Sequence, residues 1–444
     1  MTTCSRTVQI LIKANNMKII IYIISLLIIP VISHAEDIIR QGDQLDIERC
    51  IEIALRMHPG ITASANTVNV NKSRVGEAKA DFYPHISGSS GYSKISPASD
   101  TGSSISVDSA NSYDQYTGSI VMKQNIYDFG KTAAQVQVQT LNLDASRSDL
   151  KNISAQVVLS VRKAYFGVLK AAKDRDVAEE AVKQFEQHLA RAKGFYEAGT
   201  KPRFDVTKAE VDLSSSKLNL IKATNALRLA VAALNNAMGL PEAPEYTLED
   251  SLYADAYVIT FEEALMLAYK NRPDLESAVL KKQAAERSVV LAEKGHYPAL
   301  NGSASYNWTG EDFPLNEGWN AGVTLSVPIF SGFLTTHQVK GSKAELKVQS
   351  ANEELLRQAV FLEVQQAYLG LSEAAESIPA AELIVRQSEE NLELANGRYA
   401  AGVGNPVEVT DAQVSLSSAR TSHIQALYDY KIAHASLEKA MGVR

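Results

Sequence analysis

The spacing of apolar positions changes along this chain, and each change marks an element. Val360, Val364, Ala367, Leu371, Ala374, Ile378, Ala381, Val385, Ser388, Leu392, Ala395 and Tyr399 step by four and three in turn, with Ser388 the one polar member. A 3.5-residue period held this long is the seam of a left-handed coiled coil. The same steps occur earlier at Val157, Val161, Ala164, Val168, Ala171, Arg175, Ala178, Val182, Phe185, Leu189, Ala192 and Tyr196, with Arg175 the exception. The pattern predicts long helices near 131–196 and 334–399, each about 100 Å long at 1.5 Å per residue. Helices near 48–82 and 205–238 are roughly half as long, so two stacked end to end would match one long helix. Pro379 inside the second long helix is expected to kink it.

Between Tyr297 and Gly332 the period becomes two. Leu300, Gly302, Ala304, Tyr306 and Trp308 alternate with Asn301, Ser303, Ser305, Asn307 and Thr309. On the returning segment Trp319, Ala321, Val323, Leu325, Val327 and Ile329 alternate with Asn320, Gly322, Thr324 and Ser326. Strands of about ten residues with one apolar and one polar face are the pattern of an outer-membrane barrel. Tyr297, Trp308, Trp319 and Phe330 stand at the ends as candidate membrane girdles, about 25 Å apart along the bilayer normal once the strands tilt. An earlier segment repeats the pattern more weakly with Tyr116, Ile120, Met122 and Ile126.

The chain is a tandem repeat. Met57-His58-Pro59 recurs as Asn271-Arg272-Pro273 and Tyr83-Pro84 as Tyr297-Pro298, both 214 positions on. Ile126-Tyr127, Ala164-Tyr165, Val206-Thr207 and Ala237-Met238-Gly239 recur as Ile329-Phe330, Ala367-Tyr368, Val409-Thr410 and Ala440-Met441-Gly442, all 203 positions on. The 11 extra residues of the first copy, mostly Ser, Gly and Asp between 84 and 126, belong in a loop. The expected organisation is a signal segment at 1–35, a first repeat at 36–240 with a hairpin near 84–127, a linker at 241–260, and a second repeat at 261–444 with a hairpin near 298–330.

The signal rests on Lys13 and Lys18, the apolar run Ile19 to Ile32, and Ser33-His34-Ala35, with maturation at Glu36 and Met17 as an alternative start. No later stretch is long and apolar enough to cross a bilayer as a helix, so a membrane form must use strands. Two hairpins give four strands, and their open edges cannot sit in lipid. About eight strands fill their own barrel, whereas three copies would supply about twelve and leave an aqueous lumen, with two copies kept open. Net charge −7 makes nucleic acid an improbable partner. Of two cysteines, Cys4 precedes the expected cleavage site and leaves Cys50 alone, so no disulfide framework is expected.

The whole mature chain resembles the TolC-type outer membrane efflux proteins. The resemblance rests on the tandem helix-hairpin-helix repeat, Tyr-Pro before the strands, the turns Asp128-Phe129-Gly130 and Ser331-Gly332-Phe333, and the helix-turn elements Tyr196 to Val206 and Tyr399 to Val409. It implies a mainly α fold with a small β part, in which four strands per chain contribute to a trimeric 12-stranded barrel continued by a coiled-coil tunnel. It implies a passive export duct in the outer membrane for tripartite efflux or type I secretion. The partners implied are a periplasmic adaptor, an inner-membrane pump, outer-membrane lipid and two further copies of the chain. The rival reading is a periplasmic coiled-coil adaptor or scaffold with no membrane barrel.

Carried over residue by residue, the resemblance makes Asp205, Glu408 and Asp411 the acids of the entrance and Tyr399 the tyrosine of its closing link. Gly404 stands where an Arg of that link is usual, and Phe204 where a small polar residue is expected, so the latch is expected to be built differently. Glu408 and Asp411, three apart on a helix, share a face, and three copies would gather about six carboxylates at a mouth that attracts cations. Asp205 and Glu408 also follow Pro202 and Pro406, where acids favour a helix start. Gly199, Thr200, Gly402 and Val403 form the expected adaptor-contact tips, although glycine capping alone would look the same. Catalytic, cofactor and metal patterns are not expected. Ser214-Ser215-Ser216-Lys217 matches a nucleophile spacing only in isolation.

Overall fold

The computed structural model describes residues 39–96, 112–253 and 257–443. The expected signal segment and most of the inserted Ser/Gly-rich loop lie outside them. The chain divides into two units. Of the smaller, 39–43 and 244–247 are described; Gly42 N–H donates to Glu245 O at 2.8 Å and Thr247 N–H to Asp43 O at 2.9 Å.

The larger unit holds the helices and the sheet. Its elements are α1 (Ile47–Met57), α2 (Pro59–Ala80), β1 (His85–Ile95), β2 (Tyr113–Tyr127), α3 (Lys131–Glu197), α4 (Arg203–Met238), α5 (Phe261–Asn271), α6 (Pro273–Glu293), β3 (Ala299–Gly310), β4 (Asn316–Ser326), α7 (Leu334–Ala400) and α8 (Pro406–Ala440). The helices α3 and α7 each run 67 residues, about 100 Å at 1.5 Å per residue. Helix α7 runs as a single α-helix through Pro379. Each long helix packs on the shorter helix that follows it, and α3 also packs on α1, α2, α6 and α8.

The short helices stack end to end, and the repeated motifs make the junctions. Pro59 and Pro273 stand at helix starts, where a missing N–H costs nothing. Gly239 ends α4 with φ 76°, and a Cβ there would lie 2.9 Å from Met57 O and from His58 Cα. Gly442, with φ 69°, meets Asn271 C at 2.8 Å and Arg272 N at 2.9 Å in the same way. Glycine answers both demands, a left-handed backbone and close approach of another chain segment. Met238 and Met441 fill the junction cores.

The coiled-coil seam of α7 is buried or half-buried at every expected position. In α3 the seam drifts near its end. His188 is buried and Leu189 half-buried, while Phe195 turns inward and Tyr196 is exposed.

The four strands form one antiparallel sheet in the order β1-β2-β3-β4. Register places Ile86, Met122 and Ala304 in line with Ala321, and Gly88, Ile120 and Tyr306 in line with Trp319. Ser87, Val121 and Ser305 line up with Asn320 on the opposite face. A bulge at Ile126 puts Tyr127 opposite Leu300, and Ile126 packs over Gly302. The apolar face is solvent-exposed in the single chain, with Ile86, Ile120, Trp319, Val323 and Leu325 all open.

Candidate functional site

Both hairpin tips are built alike. Helix α3 ends at Glu197 with Ala198 as its cap; Gly199 N–H then donates to Tyr196 O and Thr200 N–H to Phe195 O. After Ala401, the cap of α7, Gly402 N–H donates to Tyr399 O and Val403 N–H to Arg398 O. These are Schellman motifs, with φ 73° at Gly199 and 77° at Gly402. The glycines cap the helices and at the same time present Gly199, Thr200, Gly402 and Val403 to solvent.

The two tips are tied to each other. Lys201 Nζ donates to Gly404 O at 3.3 Å and stands 5.5 Å from the centre of the Tyr399 ring. Arg191 bonds Asn396 Oδ1 at 3.0 Å, linking α3 to α7. Asp212 of α4 takes Lys208 Nζ at 2.5 Å and the Thr410 hydroxyl of α8 at 2.8 Å.

Tyr399 is wholly buried among Leu392, Ala395, Val409, Ala412 and Leu416, with Phe195 packed against it. The His188 ring lies 5.3 Å from its centre. Asp205, in the first turn of α4, is buried beside it. The Tyr399 hydroxyl meets the Asp205 carboxylate, while both nitrogens of His188 lack a hydrogen bond. Such groups are uncommon in native interiors. Burial, and then the negative charge of Asp205, push the Tyr399 hydroxyl above its ordinary value. Burial holds the His188 imidazole below 6.5; Arg191 and Lys208 add to this, while Asp212 and Asp205 pull the other way.

The structure therefore brings Asp205 and Tyr399 together but places Glu408 and Asp411 apart from them. Glu408 is exposed and takes Arg398 Nε at 3.2 Å. Asp411 is exposed on the same helix. The start of α8 is capped by Asn405, whose Oδ1 accepts from Val407 N–H at 2.8 Å, and Asp205 Oδ2 caps nothing. His188, Lys201, Arg398 and Asp212 escaped the sequence reading. A His one place off the seam and a Lys in a turn carry no pattern that singles them out.

At the sheet, Trp319 faces Tyr306, while Trp308 faces Glu317. Tyr297 stacks on Phe129 at 6.2 Å and Phe330 packs on Phe333 at 5.5 Å. Tyr92, Tyr116 and Phe313 form a further aromatic group, with centroids 5.3 and 5.2 Å apart. Ser214 and Ser216 hydroxyls bond helix carbonyls and Lys217 pairs with Glu186. No described helix is long and apolar enough to cross a membrane.

The family model for outer membrane efflux proteins matches residues 50–240 and 264–443. The chain belongs to the outer membrane efflux protein family. It is 24% identical over 389 residues to protein CyaE of Bordetella pertussis, covering 86% of this chain and 81% of CyaE. It is 24% identical over 343 residues to outer membrane protein TolC of Vibrio cholerae, covering 74% and 77%. Its fold matches a solved structure of CusC with a TM-score of 0.78 at 18% identity, over 91% of this chain and 94% of that one. This efflux protein is an outer-membrane channel subunit, a passive export duct, with its sheet as the barrel contribution and its long helices as the tunnel wall. The scaffold reading, which required no lipid-facing strands, falls with the family match and the apolar-faced sheet.

Proposed function

We propose that three copies of this channel subunit join sheet edges into one barrel of about twelve strands, continued by their helices into a periplasmic tunnel that docks an adaptor and an inner-membrane pump. One observation carries the reading. Among the described residues, the sheet has one exposed apolar face, and β1 and β4 each pair on one side only. Unpaired edges are not tolerated in hydrocarbon, so neighbouring copies must supply the missing partners. The mass of the detergent-extracted complex tests it: three copies are expected, and a stable single subunit would refute it.

The tips form the periplasmic entrance, with Gly199, Thr200, Gly402 and Val403 as adaptor contacts. Tyr399 and Asp205 hold the closed packing, and Glu408 with Asp411 rings the mouth with negative charge. Tyr297, Trp308, Trp319 and Phe330 mark the membrane boundaries. The double variant Glu408→Ala, Asp411→Ala should lower cation preference in single-channel recordings. Unchanged selectivity would remove the acid ring.

A further inference from the structure

We propose that His188 is a proton-sensitive element of the entrance latch: the tip packs shut around the neutral imidazole, and protonation loosens it. The inference rests on the tips being the channel entrance. It begins from His188 of α3, buried with neither ring nitrogen hydrogen-bonded, beside Tyr399 of α7 and Asp205 of α4. A buried imidazole with no partner takes up a proton only against the cost of desolvation, and three helices meet around this one.

The groups that face His188 are known from each side. Its own helix contributes Arg191; α4 contributes Asp205, Lys208 and Asp212; α7 contributes the Tyr399 ring. Thr410 of α8 and Lys208 each engage one oxygen of Asp212. That carboxylate is already occupied, and the Asp205 carboxylate interacts with the Tyr399 hydroxyl. Tyr399 in turn carries the Lys201 ammonium over its ring. Protonating His188 in place would set an imidazolium into a pocket closed to water, with cations at Arg191 and Lys208 nearby.

The sign follows by linkage. In the packed tip the imidazole titrates below 6.5, and in an opened tip, wetted by solvent, it returns to about 6.5. The opened form therefore binds more protons, and the packed form loses stability as pH falls through the ordinary value. Above that value the histidine is neutral in both forms and has no influence. Each copy contributes one such proton, so a ring of several copies sharpens the response.

Two measurements test the proposal on the full-length channel. In planar bilayers, wild-type conductance is recorded while the periplasmic side is taken from about pH 8 to about pH 5.5. Acid is expected to raise it, and His188→Gln is expected to lose that rise. Acid-induced closure of the wild type, or a His188→Gln channel that keeps the acid response, overturns the switch. In parallel, the imidazole signal of His188, kept as the single histidine of the channel, is titrated by NMR. A midpoint below 6.5 is expected for the packed tip, and one at or above 6.5 overturns the switch even if His188→Gln does not assemble. A low midpoint with no effect of pH on wild-type conductance overturns the proposal through the entrance reading on which it rests.

Discussion

Gly404 has no room for a side chain. A Cβ there would lie 2.7 Å from Tyr399 N and 2.9 Å from Arg398 C, both backbone atoms that cannot swing aside. An arginine here, as the resemblance would have it, could not fit without moving the tip, and Lys201 of the other repeat stands over Tyr399. Gly404→Ala should destabilise this turn by about 1–3 kcal/mol. Faster tryptic cleavage at the tip than in the wild type would register it. Tyr165 makes a similar point in the core. Its hydroxyl donates to Glu249 O at 2.8 Å, and burial pushes it up to about 12. Tyr165→Phe leaves that carbonyl with one donor fewer and should cost about 1–3 kcal/mol, read as a lower denaturation midpoint. The candidate gate residues could be read only one at a time. Asp205 and Tyr399 could be matched by motif, but which side chains meet depends on the rotation of three helices, and a single position off the seam decides it.

At the level of helices, spacing alone carried most of the architecture. The seam of α7 is buried as its period requires, because α7 packs chiefly on one following helix. That of α3 drifts to His188 and Phe195 because α3 serves several neighbours, and a straight helix rotates relative to a 3.5-residue repeat. The half-helix junctions were visible only as recurring tripeptides; nothing in the sequence said that Met57-His58-Pro59 would meet Met238-Gly239. Arg272 shows what the second junction adds. Its guanidinium reaches Asp274 at 2.6 Å, Glu363 at 2.6 Å and Ala440 O at 3.2 Å, and Lys439 meets Glu363 at 2.7 Å. Burial opposes ionisation of Glu363, yet the bonds from Lys439 and Arg272 win and hold it below its ordinary 4.5. A carboxylate lowered in the native state stabilises it above its unfolded value and loses that contribution as pH falls through the native one. Glu363→Gln should therefore flatten the acid limb of a stability-against-pH curve and leave its neutral end lower.

For the molecule as a whole, the decisive property is that one sheet face is greasy and the other is not. Alternation along β3 and β4 displayed this directly, while in β1 and β2 serines, glycines and the Ile126 bulge obscured it. The register supplies a paired experiment. Val323 lies on the apolar face opposite Gly302, and Gly322 lies on the polar face opposite Ser303 with open space around it. Val323→Lys should cost about 2–4 kcal/mol on insertion into lipid vesicles, and Gly322→Lys little. Similar yields of the two variants would mean that the faces do not differ toward lipid, and the reverse order that they had been assigned the wrong way round.

The order β1-β2-β3-β4 leaves the outer rims of β1 and β4 bare among the described residues. A subunit carrying prolines on the rim of β4 could still fold its helices and join wild-type copies, yet it would prevent the ring from closing. Such a subunit should poison export in cells that also make the normal protein, and prolines placed in the paired strand β3 should be merely recessive.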